Sequence, residues 1–318
     1  MKIRLALFLA LIALPAAAQQ FPSKPVRVIV PFPAGGAVDT ITRVLGAQLT
    51  ETWKQPVLVE NKPGAAGNIG ADIVAKSPAD GHVLLITTHG FTITPNLYLK
   101  MPFDTVKDFA PVTQLLASYT VVVASIGSGF KSLKDMIAAA KAKPGAINYA
   151  SSGIGAPLHL VMEMIKSQAG IDITHVPYKG DSEMIPALFN NDAQVAVLPS
   201  ISAIPHIREK RLIALGVTST ARAKALPEVP TLDEAGLKGF KYVGWIGIFA
   251  PAATPKPIVD QVQRDMAKAL KSKDIQDRLP SWGYEAVGSM PQQFAERFKA
   301  DLMLNAKVIK DAKIPMRE

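Results

Sequence analysis

The stretch VPFPAGGAVD, from Val30 to Asp39, decides the predicted fold. Apolar residues before it are typical of a buried β-strand, two prolines stiffen the exit, and helical periodicity begins at residue 37. Gly35 and Gly36 lack a Cβ, so a ligand can approach the backbone closely. The first amides of the next helix have no intrahelical acceptor and attract anions. The stretch predicts a strand–loop–helix unit whose loop either binds an anion or simply connects the two elements.

A second stretch, YASSGIGAPLH from Tyr149 to His159, repeats this arrangement. Ser151 and Ser152 add hydroxyl donors to the free amides, and Pro157 suits the first turn of a helix. If the two units lie in different lobes, their loops face each other across a cleft. We therefore expect one anionic ligand to be held from both sides.

Strand and helix patterns alternate along the chain, which predicts an α/β fold with mostly parallel sheets. About nine strands fit two sheets better than one, so we expect two α/β lobes around a ligand cleft. Crossings near residues 120–124 and 240–245 would join the lobes. The strand candidates are 26–31, 57–60, 83–88, 119–124, 146–150, 173–176, 195–198, 212–218 and 243–249. The helix candidates are 37–52, 67–76, 132–142, 156–169, 182–190, 201–210, 256–272 and 291–310.

Residues 1–18 have the layout of a secretory signal peptide. Lys2 and Arg4 precede the apolar run 5–14, and Ala16 to Ala18 supply the small residues of a cleavage site. The alternative is a membrane anchor, but the run is about half the roughly 20 residues that a spanning helix needs. We expect cleavage before Gln19 and a periplasmic location.

The composition excludes several classes of protein. There is no cysteine among the 318 residues, so disulfides and thiolate chemistry are excluded. The net charge of +9 falls to +7 without Lys2 and Arg4; it either steers anions or reflects a solvated basic surface. The basic residues are spread along the chain without interleaved aromatic residues, so no nucleic acid partner is expected.

Catalytic and cofactor motifs are not evident. The third glycine of a dinucleotide fingerprint would fall at Leu158, and the spacing in NKPGAAGNIG (61–70) fits neither nucleotide pattern. The five histidines lack a metal-ligand spacing, and no G-x-S-x-G elbow occurs. We predict no cofactor, no metal and no enzymatic activity.

The sequence resembles the Bug-type receptors, the extracytoplasmic solute receptors of tripartite tricarboxylate transporters. The resemblance covers about residues 21–310. It rests on these segments, among others: VPFPAGGAVDT (30–40), PVLVENKPGAAGNIGADIVAKSPADG (56–81), AKPGAINYASSG (142–153), HVPYKG (175–180), LPEVPTLDEAG (226–236) and WIGIFAP (245–251).

The resemblance implies a type II periplasmic binding protein fold with a hinge between two α/β lobes. Lobe one would comprise residues 22–121 and 245–318, and lobe two residues 122–244. The loops 32–36 and 151–156 would hold the carboxylate. The candidate ligand-binding residues, some from the resemblance and some from strand exits, are Phe32, Ala34, Gly35, Gly36, Asp39, Thr88, His89, Ser151, Ser152, Gly155, Ala156, His159, Tyr178, Pro199 and Ser200. Tyr178 and Trp245 either line the cleft or pack in a core.

The chain departs from its relatives at Leu198, Pro199 and Ile154, where many of them carry polar residues. We therefore expect a ligand with an apolar or aromatic body beyond its carboxylate. The expected function is capture of a small di-, tri- or aromatic carboxylic acid by a monomer, for delivery to membrane transporter subunits. One alternative is a sensory receptor for a membrane signalling protein. The other is a secreted hydrolase or isomerase, which would need an activated nucleophile or an acid/base pair.

Overall fold

A computed structural model describes residues 21–316. The predicted signal peptide, residues 1–18, lies outside the described residues. The described chain forms two α/β lobes, each built on its own sheet. Within residues 21–316, no helix is both long enough and apolar enough to cross a lipid bilayer.

Lobe one is built on a six-stranded sheet. Its strands are β1 (Val26–Val30), β2 (Val57–Asn61), β3 (Val83–Thr88), β4 (Phe109–Ser118), β10 (Gly244–Pro251) and β11 (Tyr284–Ala286). The spatial order is β11-β4-β10-β3-β1-β2. The chain thus leaves this sheet after β4 and returns to it at β10, and the predicted crossings lie near both points.

Lobe two is built on a five-stranded sheet. Its strands are β5 (Thr120–Ser125), β6 (Asn148–Ser151), β7 (Thr174–Pro177), β8 (Val195–Pro199) and β9 (Leu212–Val217). The spatial order is β7-β6-β8-β5-β9. The exact lobe boundaries stay a prediction.

The sheets are mixed, whereas the sequence predicted mostly parallel ones. β1 pairs parallel with β2 and β3, and β6 pairs parallel with β7 and β8. In contrast, β5 and β10 run antiparallel to both of their neighbours. Each is the first strand after a crossing between lobes. The parallel strands run toward the cleft and end there. A strand that enters from the other lobe begins at the cleft and runs away from it, so it is antiparallel to those strands.

Ten α-helices pack around the two sheets within residues 21–316. They are α1 (Ala37–Trp53), α2 (Asn68–Ala75), α3 (Thr94–Leu97), α4 (Leu133–Ala142), α5 (Pro157–Ala169), α6 (Asp181–Phe189), α7 (Ser200–Arg208), α8 (Lys256–Ala269), α9 (Lys273–Trp282) and α10 (Pro291–Asp311). In α1, Ile41, Leu45 and Leu49 recur every four residues and are buried against the sheet. Loss of one such side chain to Ala costs about 2–5 kcal/mol. The helix ends at Lys54, which takes a left-handed conformation.

A small apolar cluster joins the lobes beside the cleft. Leu160 of α5 in lobe two packs with Ile93 and Leu97 of lobe one and with Ile309 of α10. All four side chains are at most 6 % exposed. The cluster holds the residue 93–97 segment against the lobe-two loop that the sequence singled out.

Candidate functional site

The cleft between the lobes contains two connected compartments. Compartment one has a volume of about 510 Å³ and is lined from both lobes by the segments that follow β1, β2, β3 and β6. Compartment two has a volume of about 360 Å³ and shares Thr88, Gly90, Ser152 and Pro157 with the first. Parallel strands place their carboxyl ends at one edge of a sheet, where α/β proteins bind ligands. Both sheets direct that edge toward this cleft.

The lobe-one loop is held by the carboxylate of Asp39. Its Oδ2 accepts the Gly35 amide at 2.8 Å, and its Oδ1 accepts the Asn61 amide at 2.9 Å. Asn61 also donates to the Phe32 carbonyl at 3.1 Å. Hydrogen bonding from Arg43 lowers the pKa of Asp39, so this carboxylate stays charged. The loop is therefore fixed by protein groups before any ligand arrives.

The lobe-two loop is held by two histidines. The Gly155 amide donates to Nδ1 of His159 at 2.9 Å. The hydroxyl of Ser151 lies 2.6 Å from Nε2 of His175 and accepts the Gly153 amide at 3.2 Å. These bonds fix the backbone from residue 151 to 155, and they leave Ser152 on the cavity wall.

The two imidazoles stack on each other inside lobe two. Their ring centroids are 4.1 Å apart, and His175 stacks in turn on Tyr149 at 4.8 Å. Burial, together with the neighbouring His175, lowers the pKa of His159 to about 4. Burial also lowers the pKa of His175. Because Nδ1 of a neutral imidazole can accept a hydrogen bond, the lowered pKa of His159 preserves the bond from Gly155.

Ser151 and His175 have the spacing of a nucleophile and its base, but they do not form an accessible pair. The side chain of Ser151 is 0 % exposed, and it lines neither compartment. A substrate carbonyl in the cleft cannot approach a hydroxyl that the loop backbone covers. The pair is therefore a support for the loop in this conformation. Among residues 21–316, no three His, Asp, Glu or Cys side chains are placed to hold a metal ion.

The structure brings eight of the fifteen predicted site residues to the cavity walls. Those on compartment one are Phe32, Thr88, Ser152, Gly155 and Ala156; those on compartment two are Thr88, Ser152, His89, Pro199 and Ser200. The other seven, which line neither compartment, are Ala34, Gly35, Gly36, Asp39, Ser151, His159 and Tyr178. Asp39, Ser151 and His159 are buried under their loops and hold them, as described above.

The remaining residues that line neither compartment differ in their surroundings. Ala34, Gly35 and Gly36 are exposed at the tip of the lobe-one loop. Tyr178 packs its ring against the core of lobe two, and its amide donates to the Ser151 carbonyl.

Four further residues concern the polarity of the cleft. Leu198 is wholly buried in the core of lobe two, so its apolar character does not bear on the cleft. Ile154 is 43 % exposed and lines compartment one. Trp245 contributes to the wall of compartment two, yet it is only 1 % exposed and donates Nε1 to Asp301 at 3.0 Å. His89 is similarly deep, and burial lowers its pKa to about 4.

Sequence reasoning missed two walls of compartment one. One is the turn at residues 63–67 after β2, and the other is the segment 91–98 after β3, with Phe91, Ile93, Leu97 and Tyr98. The glycine-rich pattern NKPGAAGNIG was weighed only as a nucleotide motif. This pattern directly follows β2, a strand parallel to β1. That position was the signal that the pattern lies at the same edge of the sheet as the loop after β1.

Comparison with known proteins agrees with this architecture. Residues 41–314 match the model of the family described as tripartite tricarboxylate transporter family receptor. The chain is 37% identical over 282 residues to a UPF0065 protein of Pseudomonas sp. strain P51, covering 88% of this chain and 84% of that one. It is 33% identical over 284 residues to Protein BugT of Bordetella pertussis, covering 89% and 87%.

The solved structure of R. palustris Rpa4515 with adipate superposes with a TM-score of 0.77 at 32% identity, covering 93% of this chain and 100% of that one. The predicted two-lobe fold is thereby confirmed, and so is the predicted family. With the matched segment extending over most of the described residues, the chain belongs to the Bug-type receptor family of the tripartite tricarboxylate transporters.

Proposed function

We propose that this protein is a periplasmic receptor that captures a small organic carboxylate in its cleft and delivers it to the membrane subunits of a tripartite transporter. The observation that carries the proposal is the pair of strand–loop–helix units that meet in one cavity. Each lobe contributes one: lobe one reaches compartment one with Pro31, Phe32 and Pro33, and lobe two reaches it with Ser152, Gly155 and Pro157, the residue at which α5 begins. The unpaired amides at the start of α5 suit a carboxylate.

The walls of compartment one define the rest of the ligand. They carry the apolar side chains of Phe32, Phe91, Ile93 and Leu97, and no lysine or arginine appears among the described residues on either compartment. A carboxylate would therefore bind through amides and hydroxyls, and its body would bury apolar area at about 25 cal/mol per Å². The adipate of the R. palustris relative, a dicarboxylate with an apolar chain, supports an organic acid as the ligand.

Binding without chemistry is part of the proposal. The cleft walls present Thr88, Ser152 and Ser200 hydroxyls without a partnered base, and Ser151 is shielded from the cavity. Acid recovered from the protein should be chemically unchanged. Release of a product on incubation would contradict this part.

The proposal is tested by calorimetric titration and thermal-shift screening of the purified protein against carboxylic acids. A ligand at micromolar affinity corresponds to about −8 kcal/mol and raises the melting temperature by mass action. The control compounds are the corresponding neutral amides, which should bind far more weakly. If no acid binds, or if acid and amide bind equally, carboxylate capture is wrong. Transport is tested separately: uptake of the acid into vesicles holding the membrane subunits should require the receptor.

A further inference from the structure

We infer that compartment two is a site for a positively charged nitrogen, so that the ligand carries an ammonium group at the end away from its carboxylate. This inference rests on the proposed function, because it assigns the carboxylate to the amide loops of compartment one. It concerns the ligand chemistry of compartment two, which the proposed function leaves open.

The first observation is the charge on the walls. Asp181 is the single formally charged side chain among the described residues that line either compartment, since His89 is neutral. It begins α6 and remains partly exposed. An ionised carboxylate accepts hydrogen bonds only. The Ser202 hydroxyl donates to its Oδ2, which leaves acceptor capacity for a ligand donor.

The second observation is the aromatic character of the same walls. Tyr119, Tyr242, Trp245 and Tyr284 all contribute to compartment two. The faces of aromatic rings attract cations, and aromatic side chains beside a carboxylate are the usual recognition chemistry for alkylammonium groups. Compartment one carries no acid on its described walls. Compartment one therefore suits the anionic end of a ligand, and compartment two suits a cationic end.

The third observation is that Asp181 would repel a second carboxylate on the ligand. A second carboxylate placed in compartment two would meet Asp181 with no described lysine or arginine on the wall to offset it. Like charges brought together in a site disfavour binding strongly. Dicarboxylates should therefore bind this protein less well than acids of equal length that end in ammonium.

The test is a calorimetric series of straight-chain acids of matched length whose far ends are methyl, carboxylate, primary ammonium or trimethylammonium. The wild-type protein should bind an ammonium-ended acid at least about tenfold more tightly than its methyl or carboxylate counterpart, the ratio expected for one charge-assisted contact. Asp181→Asn, which keeps the shape, should abolish that preference and improve binding of the dicarboxylate. Binding of the methyl-ended acid, which offers Asp181 no donor, should change less than binding of the other three acids.

Glu183→Gln is the matched control. Glu183 lies in the same first turn of α6, accepts the Lys179 amide and lines neither compartment, so its variant should keep the wild-type ranking. A purely structural role for Asp181 would weaken all four acids equally, which would overturn the inference. So would a wild-type preference for the methyl or carboxylate end, which needs no variant to measure. If none of the acids binds, the proposed function fails and this inference fails with it.

Discussion

The amide of Gly155 donates a 2.9 Å hydrogen bond to Nδ1 of His159, four residues further along the chain. Gly155 lies on the wall of compartment one, while His159 is buried below it. The histidine therefore acts on the cavity through the loop backbone and does not line it. A buried amide that loses its acceptor costs about 1–3 kcal/mol.

His159→Phe should weaken ligand binding several-fold and lower the stability of the protein. Phenylalanine keeps the ring stack on His175 but offers no acceptor to Gly155. His159→Asn is the matched variant, because its side-chain oxygen can replace Nδ1. Titration with a bound acid should therefore rank the affinities as wild type, then Asn, then Phe. Equal affinities for the Phe variant and wild type would remove His159 from this role.

Acidification should destabilise the protein between about pH 6.5 and 4. The ordinary histidine pKa is 6.5, whereas burial lowers the pKa of His159 to about 4 in the folded state. Between these values the unfolded chain binds more protons, so the free energy of unfolding falls as pH falls. Burial lowers the pKa of His89 in the same way, so it contributes in the same window.

Denaturant titrations at a series of pH values measure this dependence. The His159→Asn variant should lose less stability across the window than the wild type, because one of the histidines that must stay neutral is gone. Variant and wild-type curves that run parallel from pH 7 to about pH 4 would show that His159 does not carry the effect.

The two glycines of the lobe-one loop should respond differently to alanine. Gly35 has φ of +81°, a conformation that costs an alanine about 1–2 kcal/mol. Gly36 has φ of −74°, and an added Cβ would lie 3.5 Å from the Pro33 carbonyl, an ordinary contact. Gly35→Ala should therefore reduce both stability and ligand affinity, while Gly36→Ala stays close to wild type. Thermal melts and titrations of the pair decide this, and equal losses would contradict it.

The sequence located both loops because their signals are local. A strand pattern, glycines and a helix start follow one another directly, as at Gly35 and Gly155, and tertiary packing changes such a unit little. The alternating pattern likewise predicted most strands and helices. Two missed strands lack that pattern: β4 contains Pro111 and Gln114, and β11 is three residues long and depends on pairing with β4.

The roles of individual side chains could not be predicted, because they depend on which way each one turns in the folded protein. Ser151 and Ser152 are neighbours, yet one is buried against His175 and the other lies on the cavity wall. Asp181 joins the cleft only because α6 begins at the edge of the lobe-two sheet. Neither spacing nor composition contains that information.

The contact between Gly155 and Leu97 should couple loop geometry to closure of the lobes. A Cβ added at Gly155 would lie 2.7 Å from Cδ1 of Leu97, which belongs to the other lobe. Leu97 is 4 % exposed within the cluster that joins the lobes, so it has little room to move. Gly155→Ala should therefore force the lobes apart here and weaken ligand binding.

Leu97→Ala removes the atoms that would clash, at the cost of a cavity in the cluster. The double variant should consequently bind ligand better than the sum of the two single effects predicts, although the φ of +71° at residue 155 leaves a residual penalty. Titration of the four proteins forms a double-mutant cycle. Strictly additive losses would mean that the 2.7 Å approach does not limit closure, and that the penalty at residue 155 is purely conformational.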